Sequence, residues 1–294
     1  MNGRCIQAGT LRGVGVWSRE LRYNSDRRVV RDAARELERL GYTALFIPDA
    51  GGDPLGVADE LLSVTERIPV ATGILNLWMH EPAEVVRRYH VLQDTWDARF
   101  VLGIGNSHAP LVDATEPGRY RRPVARTIAY LDDLEAAGLD TTREVMLGAL
   151  GPRMLELSRT RAGGAHPYLV NTDYVRSARA ILGPDCLLAP ELGVVLEEDP
   201  AVARARGRSH LSTYLELPNY VANLERLGYG ERDFAGGGSD RLVDDIVAWG
   251  SPERVRERID AYLDAGADHV CVQMLNVPSE QLPLEEWRAL AAVL

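Results

Sequence analysis

The chain has 294 residues, 46% hydrophobic and 26% charged, which supports a buried core and excludes a disordered chain. Its formal net charge of -10 sets the surface against phosphate backbones and anionic membranes, so no nucleic-acid or membrane partner is expected. Cys5, Cys186 and Cys271 are too far apart for a disulfide framework or a Cys-x-x-Cys metal site, no apolar leader opens the chain, and no run approaches the roughly 18 apolar residues of a membrane span; a reducing cytoplasm is the expected setting.

Short apolar runs alternate with amphipathic helical segments from one end to the other. After RGVGVWS (12–18), Val30, Ala33, Ala34, Leu37 and Leu40 recur at helical spacing until Gly41 stops them, and TALFIPD (43–49) reads as a second strand. PVATGILN (69–76) predicts a third strand, residues 83–97 a helix, FVLGIGN (100–106) a fourth strand and residues 121–138 a long helix. REVMLGALG (143–151) is the fifth strand, Pro152 opens a helix, and AHPYLVN (165–171) returns as the sixth. CLLAPELGVVLEED (186–199) supplies the seventh strand and a polar extension. Residues 200–250 hold more helical pattern than one crossover needs, with GGGSD (236–240) as a loop inside that insertion. Ser251 and Pro252 then start a helix whose stripe is Val255, Ile259, Tyr262 and Leu263, Gly266 ends it, and HVCVQMLN (269–276) is the eighth strand. No linker divides the chain, so one domain over 1–294 is expected, as a (β/α)8 TIM barrel; a doubly wound open sheet is the competing architecture.

A barrel places its chemistry where the strands end at their carboxyl side. Those ends hold Trp17, Asp49, Asn76, Trp78, Asn106, Ser107, His108, Gly151, Asn171, Thr172, Glu191, Gln273 and Asn276, a set rich in hydrogen-bonding and aromatic groups but almost without paired carboxylates. Asp49 and Glu191 alone could form the acid pair of a glycosidase. No GxSxG or HExxH occurs, the histidines lack zinc spacing, and no lysine stands at a strand end to form a Schiff base, so no metal is expected and hydrolase and aldolase chemistry are disfavoured. GVGVWS and GIGNSH both lack the full dinucleotide-binding spacing. Gly103 and Gly105 instead remove side chains, which lets a flat ring approach the backbone or lets a strand bulge. In ALGPRM (149–154) a glycine precedes a proline-initiated helix whose free N–H groups, with Arg153, would suit an anion.

These residues also have plain readings. Asp49 could cap a turn, His108 could be a loop histidine, and Trp17 and Trp78 could be core; as aromatic groups at a barrel mouth they could equally, with Glu191, line a substrate pocket.

The run TGILNLWMHEPAEVVRRYHVLQDTWDARFVLGIGNSH (72–108) resembles the third-to-fourth-strand signature of the luciferase-like monooxygenase superfamily, and SPERVRERIDAYLDAGADHVCVQML (251–275) resembles its closing helix and strand. With LGYTALFIPDA (40–50) and GPRMLELSRTRAGGAHPYLVN (151–171), the likeness covers most of the chain and is nearest to actinobacterial oxidoreductases that use the deazaflavin coenzyme F420 (8-hydroxy-5-deazaflavin) in place of FMN. The resemblance implies a barrel with a helical insertion before the last strand, a bulge with a non-proline cis peptide near Gly73 and Ile74, and hydride transfer between the deazaflavin and a small organic substrate. Asp49, Gly73, Ile74, Asn76, Gly105, Asn106 and Ser107 match the ring contacts, and Gly151, Pro152, Arg153 and Thr172 the phosphate contacts. Relatives often carry histidine after the acidic residue on strand two; here Ala50 stands there, leaving His108 or Asp49 as proton carrier. An FMNH2-dependent monooxygenase and a non-catalytic deazaflavin-binding protein are the alternatives, and a homodimer is left open.

Overall fold

The computed structural model describes residues 11–275 and 281–294, so Cys5 and the expected strand-end residue Asn276 lie outside the described residues. Among the described residues the strands are β1 (Gly13–Trp17), β2 (Leu45–Ile47), β3 (Val70–Thr72), β4 (Leu75–Asn76), β5 (Phe100–Gly105), β6 (Val145–Leu147), β7 (Gly164–Ala165), β8 (Leu187–Leu188), β9 (Glu191–Val195), β10 (Val247–Trp249) and β11 (His269–Met274). They pair in parallel in the order β10-β9-β11-β1-β2-β3-β5-β6-β7-β8, with β4 on β5.

This path closes on itself, because β8 and β9 are two halves of one segment bent at Pro190. On one side the N–H groups of Leu187, Ala189 and Glu191 donate to Gly163, Ala165 and Pro167 at 3.1, 2.9 and 2.9 Å; on the other, Leu188 and Pro190 carbonyls accept from Asp268 and Cys271 at 2.9 Å each. The segment therefore bridges β7 to β11, and the expected (β/α)8 barrel replaces the open sheet. Proline suits the bend: it has no N–H to leave unpaired, and its carbonyl still holds β11.

Helices cover the outside for reasons visible locally. Asp26 accepts from the N–H groups of Arg28 and Val29 at 3.1 and 3.2 Å to start the Arg27–Arg39 helix, which buries Val30, Ala33, Ala34 and Leu37 against the sheet. Ser251 starts the Pro252–Asp264 helix in the same way, and Val255, Ile259 and Tyr262 are fully buried. Each such aliphatic side chain stabilises the fold by about 1.5–3 kcal/mol. Inside the ring, Trp17, Phe46, Ala71, Val101, Met146 and Cys271 pack together, so the barrel is filled rather than hollow.

Some strands are shorter than the apolar runs suggested. The sixth spans only Gly164–Ala165, since Pro167 cannot donate to a ladder and Leu169 takes a left-handed φ of 58°. The fifth begins at Val145, after a helical turn over Thr141–Glu144, and ends at Leu147. The third breaks after Thr72, has a cis peptide between Gly73 and Ile74, and resumes as β4. The insertion comprises helices Pro200–Leu215, Pro218–Arg226 and Asp240–Ile246 with shorter turns between them, and ends in β10, which pairs with β9 outside the ring. Leu211, Leu224, Leu242 and Val243 form its own apolar cluster over Val195, which fixes it on the barrel rim. No helix among the described residues is long and apolar enough to cross a membrane.

Candidate active site

A cavity of about 530 Å3 opens at the carboxyl ends of the strands, beneath the insertion. Its lining includes Trp17, Asp49, Gly73, Ile74, Gly105, Asn106, Ser107, His108 and Gly151 of the residues singled out in the sequence.

The floor is the broken third strand. The Trp17 indole N–H donates to the Gly73 carbonyl at 2.6 Å, and the Ile74 side chain lies over β5 and β6, where a Cβ at Gly105 would come within 2.9 Å of Ile74 Cγ1 and one at Gly148 within 3.2 Å of Cγ2. Gly103 has a different task from the one expected. A Cβ there would stand 2.0 Å from the Thr72 carbonyl, and the Thr72 hydroxyl donates to the Gly103 carbonyl at 2.7 Å and accepts from its N–H at 2.9 Å. The glycines of GIGN thus make room for the third strand, Gly103 for the Thr72 backbone and Gly105 for the Ile74 side chain.

Asp49 lies two residues beyond β2 with its carboxylate fully buried. One oxygen accepts from the Gly51 N–H at 2.9 Å; the other accepts from the Asn76 N–H at 2.9 Å and lies 2.8 Å from His80 Nε2. Burial pushes its pKa up, but these hydrogen bonds outweigh that and hold the carboxyl below its ordinary value. His80 was not singled out: it lies 31 positions away, and only the placement of β2 beside the third strand brings the two together. Asn76 supports this arrangement through its backbone and through Oδ1, which accepts from the Trp78 N–H at 3.1 Å, rather than by lining the cavity.

After β5, Asn106 donates to Thr127 Oγ1 at 2.8 Å, Ser107 adopts a left-handed φ of 53°, and His108 precedes the short helix Ala109–Asp113. Burial pushes the His108 pKa down, so its ring is neutral at pH 7. His166, missed in the sequence because its strand reads as an ordinary apolar run, lines the cavity beside the floor, where a Cβ at Gly73 would stand 3.0 Å from its Nε2. Its Nδ1 lies 2.6 Å from the Ala189 carbonyl, which assigns the proton to Nδ1 and leaves Nε2 as a buried acceptor without a partner among the described residues. Burial pushes its pKa down to about 4, so it stays neutral.

At the far end Gly151 caps the Pro152–Arg161 helix, and Arg226 of the insertion approaches it, a Cβ at Gly151 lying 3.6 Å from Arg226 Nη2. Pro152 and Arg153 follow in the first turn, exposed and off the cavity lining. Three expected residues lie elsewhere. Thr172 lines a separate shallow groove with Arg254 and Arg258. Trp78 packs on Tyr120, ring centroids 5.5 Å apart, and its carbonyl accepts from Arg119 at 2.6 Å. Glu191 points into the filled barrel interior, where its one hydrogen bond among the described residues comes from the Leu169 N–H at 3.4 Å, and burial raises its pKa to about 8. Strand ends were a guide to position along the barrel axis; they do not specify whether a side chain faces the mouth or the interior.

The insertion closes the mouth with Tyr214 and Tyr220, and Tyr168 meets them from the end of β7. Tyr214 and Tyr220 lie in the helical insertion, to which local sequence pattern assigns no role; their membership in the site depends on how that insertion folds back.

The family model described as luciferase-like monooxygenase matches residues 14–269. A Mycobacterium tuberculosis (strain ATCC 25618 / H37Rv) protein named as a coenzyme F420-dependent oxidoreductase is 23% identical over 303 aligned positions, covering 80% of this chain and 87% of its own. Among solved structures, coenzyme F420-dependent tetrahydromethanopterin reductase from Methanopyrus kandleri superposes with a TM-score of 0.75 at 14% identity, covering 96% of this chain and 97% of that one. The oxygenating constituent of 3,6-diketocamphane monooxygenase from Pseudomonas putida, in complex with FMN, gives 0.72 at 13% identity and covers 96% of each chain. These likenesses establish the barrel fold.

Proposed function

Since the chain belongs to the luciferase-like monooxygenase family, we propose that it is an F420-dependent oxidoreductase that moves a hydride between the deazaflavin and a small organic substrate. The observation that carries this reading is the cavity floor of Gly73, Ile74, Gly105 and Gly148, with the buried acceptor His166 Nε2, unpaired among the described residues, beside Gly73. A planar heterocycle with ring N–H groups fits such a floor, and the volume lies in the range of about 300–1,000 Å3 usual for ligand sites. Asn106 Oδ1, also buried and without a partner among the described residues, offers a second acceptor in the cavity lining.

When bound, the deazaflavin supplies the hydride chemistry, with carbon where a flavin has N5 and therefore no oxygen adduct. The protein's share is position and exclusion of water. Asp49 fixes the end of β2 and the Asn76 turn; with three donors already on it, it serves in orientation rather than as the proton carrier. Gly151, with Arg226 near it, offers the N–H groups of a helix start and a cation to the phosphate-bearing tail, and Pro152 and Arg153 frame that end. His108, Trp17 and the tyrosines of the insertion form the substrate side.

Parallel titration with F420 and FMN, read by fluorescence quenching, is expected to show tighter binding of F420. Preference for FMN, together with stoichiometric oxygen uptake on adding FMNH2, would replace this reading with the monooxygenase one, which the FMN-bound structural neighbour supports. Tight F420 binding with no turnover across a broad panel would point to a non-catalytic carrier, in keeping with Ala50 in place of histidine.

A further inference from the structure

Tyr168 and Tyr214 face each other across the cavity mouth with their hydroxyls 3.0 Å apart. The Tyr168 hydroxyl also lies 2.7 Å from Gln273 Oε1 and 3.2 Å from His210 Nε2. An amide oxygen has no proton to give, so Tyr168 donates to Gln273 and accepts from Tyr214. A phenol both donates and accepts, so turning the Tyr168 proton from Gln273 to Tyr214, with His210 Nε2 on the Tyr168 oxygen, reverses the pair and frees the Tyr214 proton for the cavity. His210 is off the cavity lining and keeps part of its surface in solvent, so the three side chains form a continuous polar path from the outside to the cavity.

The walls around this path are aromatic and neutral. Tyr214 lies 5.1 Å from Tyr168 and 5.0 Å from Tyr220 between ring centroids, and His108 meets it edge-on at 6.1 Å. Burial pushes the phenol pKa values of all three tyrosines up and that of His210 down to about 4, so none carries charge at neutral pH. The charged groups in reach are Arg19 at the rim and Glu191 in the barrel interior, the latter held protonated by burial at pH 7.

We propose that Tyr214 is a catalytic residue that holds the reacting oxygen of a flat, uncharged alcohol or carbonyl compound, and that Tyr168 and His210 are positioning residues that pass protons between Tyr214 and solvent. This rests on the hydride-transfer reading above. As a hydride from the reduced deazaflavin reaches the carbonyl carbon, a C–H bond forms and the C=O π pair moves to oxygen. The Tyr214 O–H bond breaks and an O–H bond forms on the substrate; Tyr168 reprotonates Tyr214, His210 Nε2–H reprotonates Tyr168, and His210 Nδ1 takes a proton from water. The carbonyl is reduced, the deazaflavin is oxidised, and alcohol oxidation runs the same path backwards.

The test uses 4-nitrophenol, flat and hydroxylated, whose neutral and ionised forms absorb at different wavelengths, with 4-nitroanisole as the O–H-free control, each titrated into the protein with and without F420. Tyr214→Phe is expected to weaken 4-nitrophenol binding about tenfold, the worth of one hydrogen bond, and to leave 4-nitroanisole unchanged. It should also move ionisation of the bound phenol to higher pH, because a donor to the phenolate is lost. His210→Gln should move that ionisation the same way by less, an effect a merely structural role would not produce. Should Tyr214→Phe fail to fold, Tyr168→Phe is expected to show the smaller shift. Equal 4-nitrophenol affinity in wild type and Tyr214→Phe, no binding to wild type, or a shift seen with His108→Gln and not with Tyr214→Phe would each overturn the proposal. F420 binding in the same samples separates the two readings: if it is absent while the phenol behaves as expected, the redox reading falls and the oxygen site stands.

Discussion

The two buried carboxylates at the strand ends, Asp49 and Glu191, are opposites, and the difference is hydrogen bonding. Asp49 has three donors and a lowered pKa, so its ionised form is favoured by the fold. Asp49→Asn is expected to lower stability at pH 7 by about 1–3 kcal/mol. A depressed folded pKa stabilises above the unfolded value of about 3.9 and loses its effect as pH falls through the folded one, so the gap between wild type and variant in thermal melts should close on acidification below about pH 4. Among the described residues Glu191 has one long hydrogen bond and an unpartnered Oε1, and burial raises its pKa to about 8. Between about pH 4.3 and pH 8 the unfolded chain releases this proton while the folded one keeps it, so the carboxyl erodes stability as pH rises. Glu191→Gln should therefore stabilise, by at least about 1 kcal/mol more at pH 8 than at pH 5 in urea unfolding; a gain independent of pH would contradict the assignment.

Among the elements, the pair formed by the broken third strand and β5 does most to shape the site. Thr72 binds both polar groups of Gly103, and Ile74 fills the space that Gly105 and Gly148 leave free. The glycine at 103 is there for distance. Its Cβ would meet a backbone carbonyl at 2.0 Å, which cannot swing aside as a side chain could. Gly103→Ala is expected to cost about 3 kcal/mol, at the upper end for an overpacked core, and to weaken F420 binding through the displaced floor. Gly41 is the useful contrast, with a φ of 93° and nothing within 4 Å of a Cβ; Gly41→Ala should cost about 1 kcal/mol, through backbone conformation alone. Equal losses in chemical denaturation would mean that the close approach at Thr72 does not govern the strand.

Over the whole molecule, closure depends on the chain's last helix as well as on Pro190. In the Leu284–Ala291 helix, Trp287 is buried, its carbonyl accepts from the Tyr42 hydroxyl at 2.9 Å, and Arg288 pairs with Glu36 at 2.5 Å, so the last helix is fastened to the first part of the barrel. Trp287→Ala is expected to cost about 3–5 kcal/mol, as for other large aromatic truncations in cores, and to lower the melting temperature without changing the F420 dissociation constant in the remaining folded protein. A large loss of affinity at full folding would show that the two ends of the barrel are coupled.

How far the sequence could be read depends on the range of the forces involved. Helix stripes such as Val30 to Leu37 and Val255 to Tyr262, their Asp26 and Ser251 caps, and the alternation of strand and helix follow from period and local hydrogen bonding, so they determined the element order and barrel class. The motif around Gly73 and Ile74 was legible as well, through its likeness to known relatives. What only the tertiary structure decided was orientation and pairing over long separations. It paired Asp49 with His80, turned Glu191 into the interior, joined Thr72 to Gly103, and folded Tyr214 back over Tyr168. Local propensity carries no term for contacts 22 to 46 positions apart; those arise when strand register and an inserted helix bring distant groups together, and that is where the cavity acquired its polar chemistry.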